Sequence, residues 1–255
     1  MKAGFAVSDQ LPDYILYPPE KYPLPDFSEN PLYQNSRATF KNCPAYIQYF
    51  SGVYIIRSPI SFTFRVFLMK DERYGMEVPQ IGCTSEENIA DTEFLNSLIQ
   101  VHEPDEWYDI KKPVIQLSLA PFFFFADEEC YMEQLPAFNH TKDSPLLSVP
   151  GVFNIHKWPR GMSLAYIWDD IEKPLAVKRG DPLCYLKFSS PKHKKVKLVE
   201  CEWTLEMQKY QAALSFIKSK HLFSNPMQTL MQRSLDLRSK KWVKEKKHLT
   251  KMAVR

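Results

Sequence analysis

Glycine is scarce, with 7 residues scattered singly along a chain of 255. A backbone cradle for phosphates needs clustered glycines, and neither GxGxxG nor GxxxxGK[ST] occurs, which argues against the dinucleotide-binding and P-loop folds. No Gly/Ser-rich linker divides the chain either, so one domain with an appendage is the first expectation at this length. Long apolar runs are also missing. The longest, LAPFFFFA at residues 119–126, falls far short of the ~18 residues that span a bilayer. The opening MKAGFAVSDQLPDY meets Asp9 and Pro12 before the hydrophobic stretch of a signal peptide can form. A cytoplasmic protein with no membrane partner is therefore expected. The five cysteines, Cys43, Cys83, Cys130, Cys184 and Cys201, are odd in number and lack CxxC, which points to free, mostly buried thiols rather than a disulfide framework or zinc knuckle.

Proline and aromatic residues are plentiful instead, at 20 Pro and 14% Phe, Trp and Tyr. Residues 1–36 hold prolines among Tyr14, Tyr17 and Tyr22, so regular structure is not expected there; an extended strap that buries its tyrosines on the body is. From Cys43 onward, short β-branched and aromatic runs appear as PAYIQYF, GVYIIRSP and SFTFRVFLMK. In the third, Phe62, Phe64, Val66 and Leu68 alternate with Thr63 and Arg65, the period-2 signature of a strand, and the three runs together predict an antiparallel meander. Residues 87–102 suit either a short helix or an insertion.

Strand-length runs resume at PVIQLSLAPFFFFA and recur through HKKVKLVECEW about every ten to twelve residues, separated by Pro, Gly and Asp turns. That spacing predicts a mainly β body over residues 37–202, an antiparallel β-sandwich, jelly roll or barrel. Gly180-Asp181-Pro182 and Pro150-Gly151 are natural strand openings, since Gly takes positive φ and Pro cannot donate to a ladder. Over residues 203–255 the period changes. Trp203, Met207, Tyr210, Leu214, Ile217 and His221 fall on one helical stripe with Thr204 as N-cap, and Asn225-Pro226 opens a second helix.

Candidate chemistry is sparse. None of the six histidines lies in HExxH or in a His-x-Asp/Glu pair, so no metal and no cofactor is expected. GMSLA at residues 161–165 is similar to a GxSxG nucleophile elbow, but it runs into strand-like sequence rather than a helix and reads as a turn. Asp127, Glu128 and Glu129 cluster at one strand end, and Asp169 and Asp170 at another. An acid/base site in a barrel mouth would need convergence among His102, His140, His156, Asp127, Glu129 and Asp169. No catalytic residue can be named. The run Phe122, Phe123, Phe124 and Phe125 cannot all face one way in a strand, so it is buried on both faces or covered by another element or a subunit; a stacking platform for bases would want interleaved Lys and Arg, which are absent there.

Charge is unevenly placed. Residues 1–225 carry 24 Lys+Arg against 28 Asp+Glu, whereas residues 226–255 carry 9 against 2. Arg233, Arg238, Lys240, Lys241, Lys244, Lys246, Lys247 and Lys251 crowd this basic helical arm, which serves as a solvated face or as a contact to nucleic acid or an acidic partner.

Four stretches carry a resemblance: Lys41-Asn42-Cys43-Pro44 leading to GVYIIRSP, then VPGVFNIHKW, MSLAYIW and VKRGDPLCYLKF. Over roughly residues 37–205 they resemble an uncharacterised family of β-rich proteins of tailed bacteriophages, notably those of marine cyanobacteria. The resemblance implies a phage-encoded β protein of the host cytoplasm and transfers no catalytic residue. Together these features predict a non-enzymatic binding or assembly protein that self-associates or docks a protein partner. The alternatives are a barrel-type enzyme acting on a small molecule or nucleotide, and non-specific nucleic-acid binding through the arm.

Overall fold

A computed structural model describes residues 1–7, 17–24, 43–68, 74–82, 98–118, 122–138 and 145–221. In chain order the first half contains β1 (Lys2–Val7), β2 (Glu20–Lys21), helix α1 (Pro44–Phe50), β3 (Val53–Arg57), β4 (Ser61–Leu68), β5 (Tyr74–Gly82), β6 (Ile99–Val101), β7 (Val114–Leu117) and β8 (Phe122–Ala126). The second half contains β9 (Tyr131–Leu135), β10 (Leu146–Ser148), β11 (Gly151–Asn154), β12 (Arg160–Gly161), β13 (Leu164–Trp168), β14 (Leu175–Val177), β15 (Pro182–Ser189), β16 (Lys197–Cys201) and helix α2 (Leu205–His221). The architecture is mainly β. Four open sheets form, ordered β12-β8-β1-β16, β10-β13-β7-β6, β11-β9-β15-β3-β2 and β14-β4-β5, so a closed barrel is not formed among the described residues. All pairings are antiparallel except β1 with β16, which run parallel with Lys2 opposite Lys197 and Ala6 opposite Cys201.

The inner faces of all four sheets meet in one apolar cluster, to which they contribute, among others, Phe124, Leu186, Phe64 and Trp168. Two sheets are also covered on their outer faces. On β8, Phe122 and Phe124 enter the main cluster, while Phe123 and Phe125 pack under α2 with Met207, Tyr210 and Leu214. All four rings are at most 1% exposed, which answers the question the sequence left open: one side is body core and the other lies beneath a helix of the same chain. The same logic shapes β3. Tyr54 and Ile56 point to the main cluster, whereas Val53 and Ile55 lie beneath Phe50 of α1 and Tyr22 of the strap. Strands buried on both faces read as continuous hydrophobic runs, hence the weak alternation of FFFFA and VYII.

The helical stripe expected after Trp203 is present through Leu214; Thr204 Oγ accepts the Met207 N–H at 3.3 Å, as an N-cap does. The second expected helix, after Pro226, lies outside the described residues. Gly180 takes φ +86°, and Ser58 accepts its N–H in the turn that opens β15.

Three expectations are corrected. Residues 2–7 are not part of an irregular strap, because β1 is an interior strand flanked by β8 and β16. Its partner in sequence terms lies at the far end of the body, so no local pattern announces it. PAYIQYF is a helix rather than a strand: Pro44 suits the first helical turn, and Tyr46 and Phe50, four apart, meet at 4.5 Å between ring centroids. Residues 43–68 are therefore no meander. Ser58-Pro59 carries the chain from β3 in one sheet to β4 in another. The strap tyrosines behave as expected where described, with Tyr22 stacked on Phe50 at 4.2 Å.

The ring of Phe125 lies directly over Gly4, where a Cβ would collide with its Cε2 at 2.6 Å. Gly4→Ala is expected to lower stability by about 1–3 kcal/mol, the usual cost of overpacking. Urea denaturation checks it, and an unchanged midpoint contradicts the packing.

A candidate anion-binding groove

Four of the catalytic candidates have contacts to other groups. His102 Nδ1 faces Glu106 Oε2 at 2.9 Å, Lys112 donates to Asp169 Oδ1 at 3.1 Å, Tyr131 Oη donates to Glu129 at 2.7 Å, and His156 Nδ1 lies 3.3 Å from the Ala126 carbonyl. None of these four contacts joins one candidate to another, and among the described residues no group of three or more His, Cys, Asp or Glu side chains could hold a metal ion. His140 lies outside those residues, as do all eight basic residues of the arm from Arg233 to Lys251. Ser163 of GMSLA stands between β12 and β13, where its Oγ accepts from Gln116 Nε2 and, at 3.2 Å, from Ser118 Oγ. It belongs to a cross-strand polar cluster, not to a strand-to-helix elbow. Burial pushes the Cys130, Cys184 and Cys201 thiols up to about 12, so all three stay protonated near neutral pH.

Arg160 is a buried cation on β12, the edge strand beside β8. Burial pulls its guanidinium down to about 10, and it lies over the rings of Phe153 at 4.2 Å and Trp158 at 4.7 Å. An inward-pointing charge on an edge strand hinders pairing with a foreign sheet, which gives Arg160 a structural role.

A concave surface lies elsewhere among the described residues. The C-terminal half of α1, the end of β15 and the β15–β16 connection enclose a groove of about 490 Å³. Lys187, His193, Lys194 and Lys195 line it, with Tyr49, Ser51, Ser189 and Ser190, and no Asp or Glu does. Its walls are fixed by backbone contacts. Gly52 and Phe188 exchange a hydrogen bond, Phe188 N to Gly52 O at 2.9 Å, and a Cβ on Gly52 would come within 2.8 Å of the Phe188 carbonyl oxygen, so only glycine lets α1 close on β15. The basic connection is tied to β1, because Met1 N donates to Lys195 O at 3.1 Å and Lys197 N to Met1 O at 3.0 Å.

Charge within the groove is partly neutralised at its edges. Lys187 Nζ lies 3.8 Å from the centroid of Tyr49, and Glu133 stands opposite Lys187 across the β9–β15 ladder. Burial, and then the Glu133 charge, push the Tyr49 hydroxyl upward. His193 Nε2 meets Glu128 Oε2 at 2.9 Å. Lys194 and Lys195 have no carboxylate partner among the described residues, and they set the sign of the groove. The sequence signal was present as KHKKVK at residues 192–197, yet it reads as the polar start of a strand and is hidden by the net negative charge of residues 1–225.

The hydrogen bond from His193 holds the exposed Glu128 carboxyl below its ordinary range. A carboxyl depressed in the folded state adds stability above its ordinary range, and that increment fades as pH falls through the depressed value. His193→Ala is expected to raise the Glu128 midpoint in a side-chain NMR titration, and an unmoved midpoint contradicts the contact.

Among the described residues no helix is long and apolar enough to cross a membrane. No family model, no curated protein and no solved structure matches this chain.

Proposed function

We propose that this protein is a non-enzymatic binding or assembly protein, a β-sandwich or jelly-roll body that takes an anionic partner in the groove between α1 and the β15–β16 connection. One observation carries the proposal: Lys187, Lys194 and Lys195 line one concave surface together with three serines and no Asp or Glu. Unpaired ammonium groups on such a surface gather anions, because the low-dielectric walls focus their field. Ser189 and Ser190 add hydroxyls, uncharged donors for phosphate or carboxylate oxygens, whereas the Ser51 hydroxyl donates to the Gln48 carbonyl at 2.9 Å. The basic residues 226–255 extend the same preference and support a contribution to affinity by charge alone. The resemblance to tailed-phage proteins supports assembly in a host cytoplasm as the setting.

A short mixed-sequence single-stranded oligonucleotide is a convenient polyanion for the test. Its affinity for the full chain is expected to fall linearly in log-log terms with salt, with a slope near −0.7 per phosphate contacted. The double substitution Lys194→Glu and Lys195→Glu is expected to weaken binding at least about tenfold and to flatten the slope by roughly one to two units. Deleting residues 226–255 is expected to leave a groove-dependent remainder. Equal affinity of the doubly substituted chain and the wild type contradicts the groove as the site.

A further inference from the structure

The segment between β6 and β7 is the reverse of the groove in charge and shape. Pro104–Glu106 forms a single 3₁₀ turn, and the following residues place Tyr108 and Ile110 in solvent at 77% and 75% exposure. Glu103, Asp105, Glu106 and Asp109 flank these two residues in the sequence, and all four are exposed. Glu106 is engaged by His102, but Glu103 and Asp105 have no ion pair among the described residues.

The knob is held in shape by many contacts. Trp107 Nε1 donates to His102 O at 2.8 Å, Lys112 N to Asp109 O at 2.8 Å, and Ile171 N to Lys111 O at 2.9 Å. Lys111 pairs with Glu172 and Lys112 with Asp169 across to the β13–β14 turn, so the knob's own cations are turned to its base. A loop so constrained has no evident folding reason to leave an isoleucine and a tyrosine in water. Apolar tips on a preorganised loop, rimmed by charge, have the anatomy of a docking element, since little ordering entropy is lost when they are buried.

Resting on the groove as an anion site, we propose that its occupant is a second copy of this chain, whose Glu103–Ile110 knob enters the groove of its neighbour. Glu103 and Asp105 meet Lys194 and Lys195, while Tyr108 and Ile110 cover Tyr49 and the aliphatic stem of Lys187. The two surfaces differ, so the contact is heterologous. Repetition gives a closed ring or an open filament rather than a two-fold dimer. An open assembly keeps one free knob at one end and one free groove at the other until the chain of contacts closes.

The asymmetry supplies the test, done with full chains. One variant loses the groove (Lys194→Glu with Lys195→Glu) and the other loses the knob (Tyr108→Ala with Ile110→Ala), all four being residues without a core role. Sedimentation velocity of the wild type is expected to show mass rising with concentration, and less so at high salt, where exposed charge pairs are screened. Each variant alone is expected to associate at least about tenfold more weakly, because both remove central contacts of the interface. Mixed together, they are expected to form a complex that stops at two chains, since only one intact knob and one intact groove remain. A wild type that stays monomeric at its solubility limit overturns the proposal. So does association that survives either variant, or a mixture that fails to pair. A monomer that still binds the oligonucleotide through Lys194 and Lys195 leaves the anion groove standing and overturns only the second copy as its occupant.

Discussion

The fold depends on the double burial of β8. Phe122 and Phe124 fill the common core of the four sheets, Phe123 and Phe125 need a separate cover, and α2 provides it through Met207, Tyr210 and Leu214. A fully buried Phe side chain stabilises the folded state by about 1.5–3 kcal/mol relative to an exposed one, so leaving the outer pair uncovered would forfeit a large share of a typical domain's net stability. That requirement fixes the position of everything attached to the strand. β1 must place Gly4 beneath Phe125, β16 must run beside β1, and the β15–β16 connection is thereby tied to Met1 at the edge of the groove.

A similar constraint operates on the opposite layer. β3 is buried on both faces, and its outer face is closed by Phe50, Tyr46 and Tyr22. The helix that delivers Phe50 also brings Gln48, Tyr49 and Ser51 against the end of β15. The groove is thus a by-product of covering an apolar sheet face with a seven-residue helix that is too short to reach the basic connection. What it leaves open is lined by side chains whose charge nothing in the body's core restrains.

Much of this was legible in the sequence where the signal is local. The alternation in SFTFRVFL, the stripe from Trp203 to Leu214 with its Thr204 cap, and the Gly180 turn all follow from periods and dihedral preferences of a few residues. Legibility fails where structure is set by distant partners. KAGFAV at residues 2–7 carries a glycine and weak alternation, and only pairing with β8 and β16 makes it a strand. PAYIQYF reads as a strand because Tyr46 and Phe50 also fit a period of two, but the Tyr46–Phe50 contact on a sheet face selects the helical period. The site escaped for a different reason. Charge summed over long segments drew attention to residues 226–255, while Lys187 lies five or more residues from KHKKVK and some 140 residues from Tyr49, so only the folded chain brings them together.

The central claim is that the groove, not merely the basic tail of the sequence, is where this protein meets an anion. Backbone amide shifts of the isotope-labelled full chain, followed by NMR while a short anionic oligomer is added, test it residue by residue. The account predicts saturable shifts concentrated at Gln48, Tyr49, Ser51 and Gly52, and from Lys187 to Val196. Shifts confined to residues 226–255, with those groove amides silent through saturation, would contradict it.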